Sequence, residues 1–333
     1  MNFTHLHVHS HYSLMDGLCS PEELLTAAKN AGQTAMAITD HGTLASHRDL
    51  QIAAKKLGMK PILGLEAYIS ATDRFDKRDI KNRDDNTQVF NHIILLAKNQ
   101  AGLENLHKLS EIAWTEGYYR KPRIDLEVLD EYGDGLIVLS GCMNGLIAKA
   151  LQNDHMDKAM EYARWFQNRF KDDFYLEVQS HNDKEVNDGL KQISAQLKIQ
   201  MVATGDCHYA TKDQKALEEA LLILSTKPDQ AEGTSYETGK KYKDIFERFN
   251  HLYPERPITF QDINVYIQSY AEIKKDFGAE WSEDIYANSI NLNGNLVANG
   301  NVTLGNNSSD NLTITASVSS NVMPSANVTY YMG

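Results

Sequence analysis

Histidine recurs at every second position near the start of the chain, at His5, His7, His9 and His11. Few patterns restrict a fold so strongly: donors spaced by two fall on one face of an extended strand, where neutral imidazoles can converge on a single ion. Leu6 and Val8, between the first three, are apolar and are expected to bury the opposite face, which separates the tract from a contiguous affinity tag. Asp16 and the run Thr39-Asp40-His41-Gly42 add further donors. The reading is a metal site built on the first strand.

The 333 residues suffice for one large α/β domain with a small appendage, and a hydrophobic share of 42% supports a sizeable core. No run approaches the ~20 apolar residues of a membrane span. The chain passes from Met1 into an apparent strand without the basic and apolar segments of a secretory signal. Cys19, Cys142 and Cys207 form no paired framework. A soluble protein of a reducing cytoplasm, with no membrane partner, is therefore expected. A formal charge of −12 argues against a wide electrostatic footprint on nucleic acid. It does not exclude a phosphate substrate, because bound cations dominate the field around them.

Short apolar runs at residues 4–8, 34–39, 61–68, 92–97, 135–139, 174–178 and 199–204 alternate with helix-like segments. The first helix is marked by Ser20 as N-cap, Pro21 at the first helical position, Glu23 closing a capping box, and Gly32 beyond the last turn. Strands alternating with helices predict a parallel α/β barrel or sheet, whose chemistry gathers where strands end and loops begin. His7 and His9 close the first run, Asp40 and His41 follow the second, and Glu66 lies near the end of the third. Cys142 follows the fifth run, and Asp206 and His208 follow the seventh. His92 is the exception, since it begins its run.

Three regions are expected: a barrel over residues 1–216, a charged extension over 217–280 with helical pieces at 242–248 and 270–277, and a segment over 281–333. After Lys275 there is no Lys or Arg, and Asn, Ser, Thr, Gly and Val dominate. Asn-Gly turns between β-forming residues predict short β-structure there.

The stretches 5–17 (HLHVHSHYSLMDG), 37–42 (AITDHG), 64–68 (GLEAY), 92–98 (HIILLAK), 119–125 (YRKPRID), 139–142 (LSGC) and 203–209 (ATGDCHY) together resemble the PHP (polymerase and histidinol phosphatase) family. The form they resemble stands at the amino terminus of bacterial DNA polymerase III alpha subunits. The resemblance implies a distorted seven-stranded (β/α) barrel holding two or three divalent ions. The ligands it implies are His7, His9, Asp16, His41, Glu66, His92, Cys142, Asp206 and His208. Asp40 is a ligand or an orienting partner, and Asp40, Glu66 and His208 are the candidate catalytic residues. Clustered cations activate water, hold phosphoryl oxygens and neutralise the leaving oxygen, so phosphoester hydrolysis needs no protein nucleophile. Mixed imidazole, carboxylate and thiolate donors suit Zn²⁺ or Mn²⁺ better than Mg²⁺.

Arg120, Lys121 and Arg123 are candidates to clamp a substrate phosphate, against the alternative of a solvated basic turn. His181 stands behind the ligands, faces substrate, or is a surface histidine. His5 and His11 are neighbours of the ligands, and Cys19 and Cys207 are packing residues.

For function, the resemblance implies a metal-dependent phosphoesterase, foremost a 3′→5′ proofreading exonuclease acting on DNA 3′ ends beside other replisome subunits. No paired polymerase aspartates follow, so the chain is not expected to polymerise DNA. The alternative is a non-catalytic module bracing a polymerase core. Residues 281–290 (WSEDIYANSI) and 323–330 (MPSANVTY) resemble the β-rich repeats of bacteriophage tail fibres. That likeness implies trimerisation and a virion component, in a viral gene chimera or through a joining error.

Overall fold

The structure, a computed structural model, describes residues 3–78, 90–215, 217–218, 221 and 263–278. Helix α1 (Pro21–Asn30) starts as its sequence dictates: the Ser20 hydroxyl accepts from Glu23 N, and the Glu23 carboxylate accepts from Ser20 N. There follow β1 (Ala35–Ile38), α2 (His47–Leu57), β2 (Lys60–Ile69), β3 (Asn91–Ala97), α3 (Gln100–Thr115), β4 (Arg123–Ile124) and α4 (Leu126–Glu131). Then come β5 (Leu136–Leu139), α5 (Leu146–Gln152), α6 (Met156–Phe170), β6 (Phe174–Gln179), α7 (Lys184–Leu197), β7 (Met201–Thr204) and α8 (Tyr270–Phe277).

The strands form one sheet in the order β1-β2-β3-β5-β6-β7, with β4 paired to β2. The first run, expected as a strand, is not a regular one, yet it joins the two ends of this sheet. On one side Ala37 N donates to His5 O and Thr39 N to Val8 O; on the other, His9 N donates to Cys207 O and Cys207 N to His7 O. The sheet is thereby curled into a distorted (β/α) barrel. Its first segment also departs from simple alternation: Leu6 enters the barrel interior, whereas Val8 packs with α1 and α2.

The all-parallel expectation is corrected at β3, which runs antiparallel to both β2 and β5. A parallel neighbour needs a crossover that returns the chain to the far end of the sheet. Here Asn91 pairs with Ile69, so the chain re-enters opposite the point where it left. The two-residue strand β4, too short to show as an apolar run, pairs in parallel with the end of β2.

Alternation along the strands divides two apolar layers. Ile93, Leu95, Val138, Leu176 and Val178 face the helices, while Ile94, Leu96, Leu139, Tyr175 and Val202 fill the barrel. Each fully buried aliphatic side chain contributes about 1.5–3 kcal/mol. Toward the C-terminal end of β2 and β6 the interior becomes polar, with Glu66, Glu177 and Gln179 all buried.

Residues 263–278 pack on this barrel. His208 N donates to Val265 O, Ile267 N donates to Tyr209 O, and Ile273 and Phe277 enter the apolar layer outside the strands. The helix expected at 270–277 is present. The helix expected at 242–248 and the β-rich segment expected at 281–333 lie outside the described residues. Among the described residues no helix is long and apolar enough to cross a membrane.

Candidate metal centre

The antiparallel β3 explains the position of His92. Because β3 begins where β2 ends, His92 lies opposite Tyr68, and its Nδ1 sits 2.8 Å from Glu66 Oε1. His41 reaches the same carboxylate: residues 41 and 66 form a parallel bridge, Gly42 N donates to Glu66 O, and His41 Nδ1 is in contact with Glu66 Oε2. His92 N donates to Asn144 O, which draws the turn after β5 alongside. Cys142 Sγ then lies 3.7 Å from His92 Nδ1 and 3.8 Å from Glu66 Oε1.

His7 and His9, both fully buried, face the other side of Glu66. Their Nε2 atoms stand 3.3 Å from Oε1 and 3.5 Å from Oε2 respectively. Asp206 Oδ1 lies 3.1 Å from His7 Nε2 and 3.2 Å from His9 Nε2. Asp206 has φ +45°, a left-handed conformation that Asp tolerates better than most residues. Asp16, on the loop after the first segment, brings Oδ2 to 2.7 Å from His41 Nε2 and 3.5 Å from His208 Nε2. The rings of His41 and His208 both stack against His9, with centroids 4.1 and 4.5 Å away. Donor atoms thus collect in three overlapping groups, His7-His9-Glu66, His41-Glu66-His92 and His9-His41-His208, each within 4.8 Å.

The groups behind the ligands fix the imidazole tautomers. His7 Nδ1–H donates to Glu177 Oε1 at 2.7 Å. Ser13 Oγ–H donates to Asp40 Oδ1, so the 3.0 Å contact with His9 must be His9 Nδ1–H donating to Ser13 Oγ. His208 Nδ1–H donates to the Asp206 carbonyl at 2.7 Å. In all three rings the lone pair left is on Nε2. The Nε2 atoms of His7 and His9 face each other at 3.1 Å, an arrangement that requires a proton or a cation between them. Three more buried atoms, His41 Nδ1, Glu66 Oε2 and Asp206 Oδ1, meet only other donors of the cluster. Imidazoles held from behind and donor atoms turned only toward one another are what a cation site requires.

Electrostatics agree. Burial opposes protonation of His7, but Asp206, Glu177 and Glu66 raise its pKa well above the ordinary value. His41 and His208, also against the effect of burial, are raised to about 9 and about 10, by Glu66 with Asp16 and by Asp16 with Asp206. Burial and the flanking His41 and His208 push His9 down to about 4. Burial raises Asp206 and Glu66, yet the surrounding histidines hold both carboxyls below the usual range. Burial, then Glu66 and Asp206, push the Cys142 thiol up. Without a cation the carboxylates hold protons on the imidazoles; cation binding therefore releases protons.

Two of the candidate residues are engaged away from the donor cluster. Asp40 accepts from Ser10 N, Ser10 Oγ and Ser13 Oγ at 2.7–2.8 Å, so its carboxylate anchors the loop and meets His9 through Ser13. Arg123 is completely buried and its guanidinium donates to the carbonyls of Gly117, Asp76 and Arg74. Arg120 is exposed with its guanidinium over the Tyr119 ring. Lys121 Nζ lies 5.1 Å over the Tyr68 ring, which in turn stacks on His41 at 5.9 Å.

His181 Nδ1 is buried without a hydrogen-bond partner, and burial lowers its pKa. His5, spaced like the ligands, turns to Cys207 and Gln268 instead. Sequence reasoning missed Glu177, Ser10 and Ser13. The signal for Glu177 was an acidic residue inside the apolar run FYLEVQ.

A curled (β/α) barrel thus gathers buried imidazole and carboxylate donors near its strand ends, in groups able to hold metal ions. The profile of the PHP domain family matches residues 5–181, more than half of the chain, and the chain belongs to that family. It is 37% identical over 259 residues to the DNA polymerase III alpha subunit of Borreliella burgdorferi, covering 75% of this chain and 22% of that protein. With the corresponding subunit of Aquifex aeolicus it shares 40% identity over 230 residues, covering 68% and 20%. A solved structure from Bifidobacterium adolescentis, named as a proposed metal-dependent phosphoesterase, matches with TM-score 0.40 and 15% identity, covering 62% of this chain and 88% of that one. The chain spans about a fifth of the length of the curated relatives it matches.

Proposed function

We propose that this chain is the PHP module of a bacterial-type replicase and hydrolyses phosphodiester bonds at DNA 3′ ends in the 3′→5′ direction. The observation that carries this reading is the pair of imidazole nitrogens, His7 Nε2 and His9 Nε2, turned toward each other at 3.1 Å by partners behind each ring. The residues that would hold two or three divalent cations are His7, His9, Asp16, His41, Glu66, His92, Cys142, Asp206 and His208. Their nitrogen, oxygen and sulfur mixture suits Zn²⁺ or Mn²⁺. Bound there, the cations supply the Lewis acidity that phosphoester hydrolysis requires.

The chain's own residues do the rest. Glu66 meets donors from both sides and is suited to link neighbouring ions. Asp16, His41 and His208 are partly exposed, whereas His7, His9 and Glu66 are buried, so substrate enters on the Asp16 side. Lys121, over the Tyr68 ring beyond His41, would meet the phosphate, with Arg120 next to it in the chain. The names of the relatives support a DNA substrate, replisome partners and a cytoplasmic setting.

The test is shortening of a 5′-labelled single strand by the full chain with Mn²⁺ or Zn²⁺. Stepwise loss from the 3′ end, abolished by chelator and by His9→Ala, is expected. Protein that keeps its metal yet leaves the strand intact, with His9→Ala behaving identically, would overturn the proposal. A bracing role is the second reading. It is favoured by residues 263–278, whose backbone pairs with the candidate ligand His208 and its neighbour Tyr209. It predicts that chelation lowers the melting temperature with no activity to lose. The trimerising element at 281–333 is a separate proposal resting on sequence likeness; light scattering on the full chain would return a trimer, and a monomer would refute it.

A further inference from the structure

Next to the metal centre two large aromatic side chains are left in water. Trp114 is 52% exposed and Tyr118 50%, and their rings lie nearly parallel, with centroids 5.5 Å apart and an interplanar angle of 16°. The platform is tied to the site: Trp114 Nε1–H donates to Gly42 O at 3.0 Å, and Gly42 follows His41. The same rim carries cations. Lys121 is exposed over Tyr68, and Tyr68 contacts both His41 and His92. Glu116, which lies between the two aromatic residues in the sequence, is paired with Arg74 at 2.7 Å, so it does not oppose an incoming anion in full.

We infer that Trp114 and Tyr118 form a stacking platform for a nucleobase of single-stranded nucleic acid whose backbone runs past Lys121 toward the metal centre. An exposed parallel aromatic pair offers a π-face that any base can cover, and a cation one residue group away meets the phosphate. This pairing of ring and cation is the chemistry by which single strands are held without sequence readout. With a charge of −12 over the whole chain, general attraction to the strand is weak, and a local device of this kind would carry the contact. The inference rests on the DNA-end reading of the adjacent site, to which it adds the residues that hold the strand.

The test is fluorescence anisotropy on the full chain as purified. One probe is a labelled thymidine oligonucleotide of about ten nucleotides, with phosphorothioate linkages that resist hydrolysis. The other is an abasic strand of the same length and backbone. The platform predicts that the base-bearing strand binds about tenfold more tightly. Tyr118→Ala should remove most of that difference while leaving the abasic strand unaffected, and Tyr118→Phe should restore it. Equal affinity for the two strands, as a protein-docking face would give, overturns the inference. So does Tyr118→Leu, which keeps apolar bulk without a ring, binding as the wild type does. Base preference without strand shortening would sink the exonuclease proposal and leave the platform standing; shortening without base preference would do the reverse.

Discussion

Replacing Glu177 by glutamine changes one atom in a residue that touches no substrate, yet it should weaken the metal centre. Glu177 is fully buried. Its Oε1 accepts from His7 Nδ1, from Gln179 Nε2 at 3.0 Å and from the Thr204 hydroxyl, and its Oε2 accepts from Gly141 N at 3.1 Å. Four donors therefore converge on two acceptor oxygens. A glutamine supplies one oxygen and an NH₂ group, so at least one donor faces a donor, at a cost of about 1–3 kcal/mol. His7 can relieve that clash by moving its hydrogen to Nε2, but then it no longer presents a lone pair to the cluster. Loss of the partner behind a ligating histidine costs about 10–100-fold in metal affinity, or about 1.4–2.8 kcal/mol. Competition for Zn²⁺ against a chromophoric chelator measures this directly, with thermal melting of the chelated protein recorded alongside to separate folding from binding. The expected result is weakening of the tightest site by one to two orders of magnitude. Affinity within about twofold of wild type, well below that range, would refute the reasoning that Glu177 orients His7.

Other outcomes follow from single residues. His5 is held neutral, its pKa pushed down to about 4 by burial; the unfolded chain, at about 6.5, takes up the proton first. Its contribution is thus present above about pH 6.5 and lost as pH falls toward 4, amounting to about 3 kcal/mol. Urea titrations at pH 7 and 4.5 should show a shallower pH dependence for His5→Asn than for wild type, and an identical dependence would contradict this. Arg123→Leu strands three carbonyls and should destabilise by about 3 kcal/mol or more in denaturant; a stable variant with a raised KM would instead restore the phosphate-clamp role. Gly17→Ala would place a Cβ 2.0 Å from Ser10 O, displacing the loop that carries Asp16. Metal content after dialysis should fall, and retention equal to wild type would show that the loop can shift freely.

The sequence announced the donors better than the frame that gathers them. Histidines at alternate positions and acids after apolar runs are local patterns, so His7, His9, His41, Glu66 and Asp206 could be picked out by position alone. Strand direction is not local. Nothing in residues 92–97 says that β3 runs against its neighbours, and for that reason His92 looked misplaced until the pairing with β2 was known. Spacing also cannot tell a ligand from a look-alike: His5 shares the rhythm of His7 and His9, but an irregular segment turns it toward Gln268, a residue 263 positions away. The basic stretch 120–123 shows the same limit, since burial assigns Arg123 to backbone carbonyls while Lys121 stays at the rim. Glu177 was overlooked because a lone acid in an apolar strand has no motif, only an implied partner that the fold must supply.

The central claim is that donors far apart in the chain form one cage for clustered cations. Anomalous difference maps from crystals of the full chain grown with Mn²⁺ or Zn²⁺ test it most directly. The account predicts two or three peaks among His7, His9, His41, Glu66, His92, Asp206 and His208, with Glu66 touching more than one. Maps without peaks there, or with metal bound only at surface histidines such as His11, would contradict it.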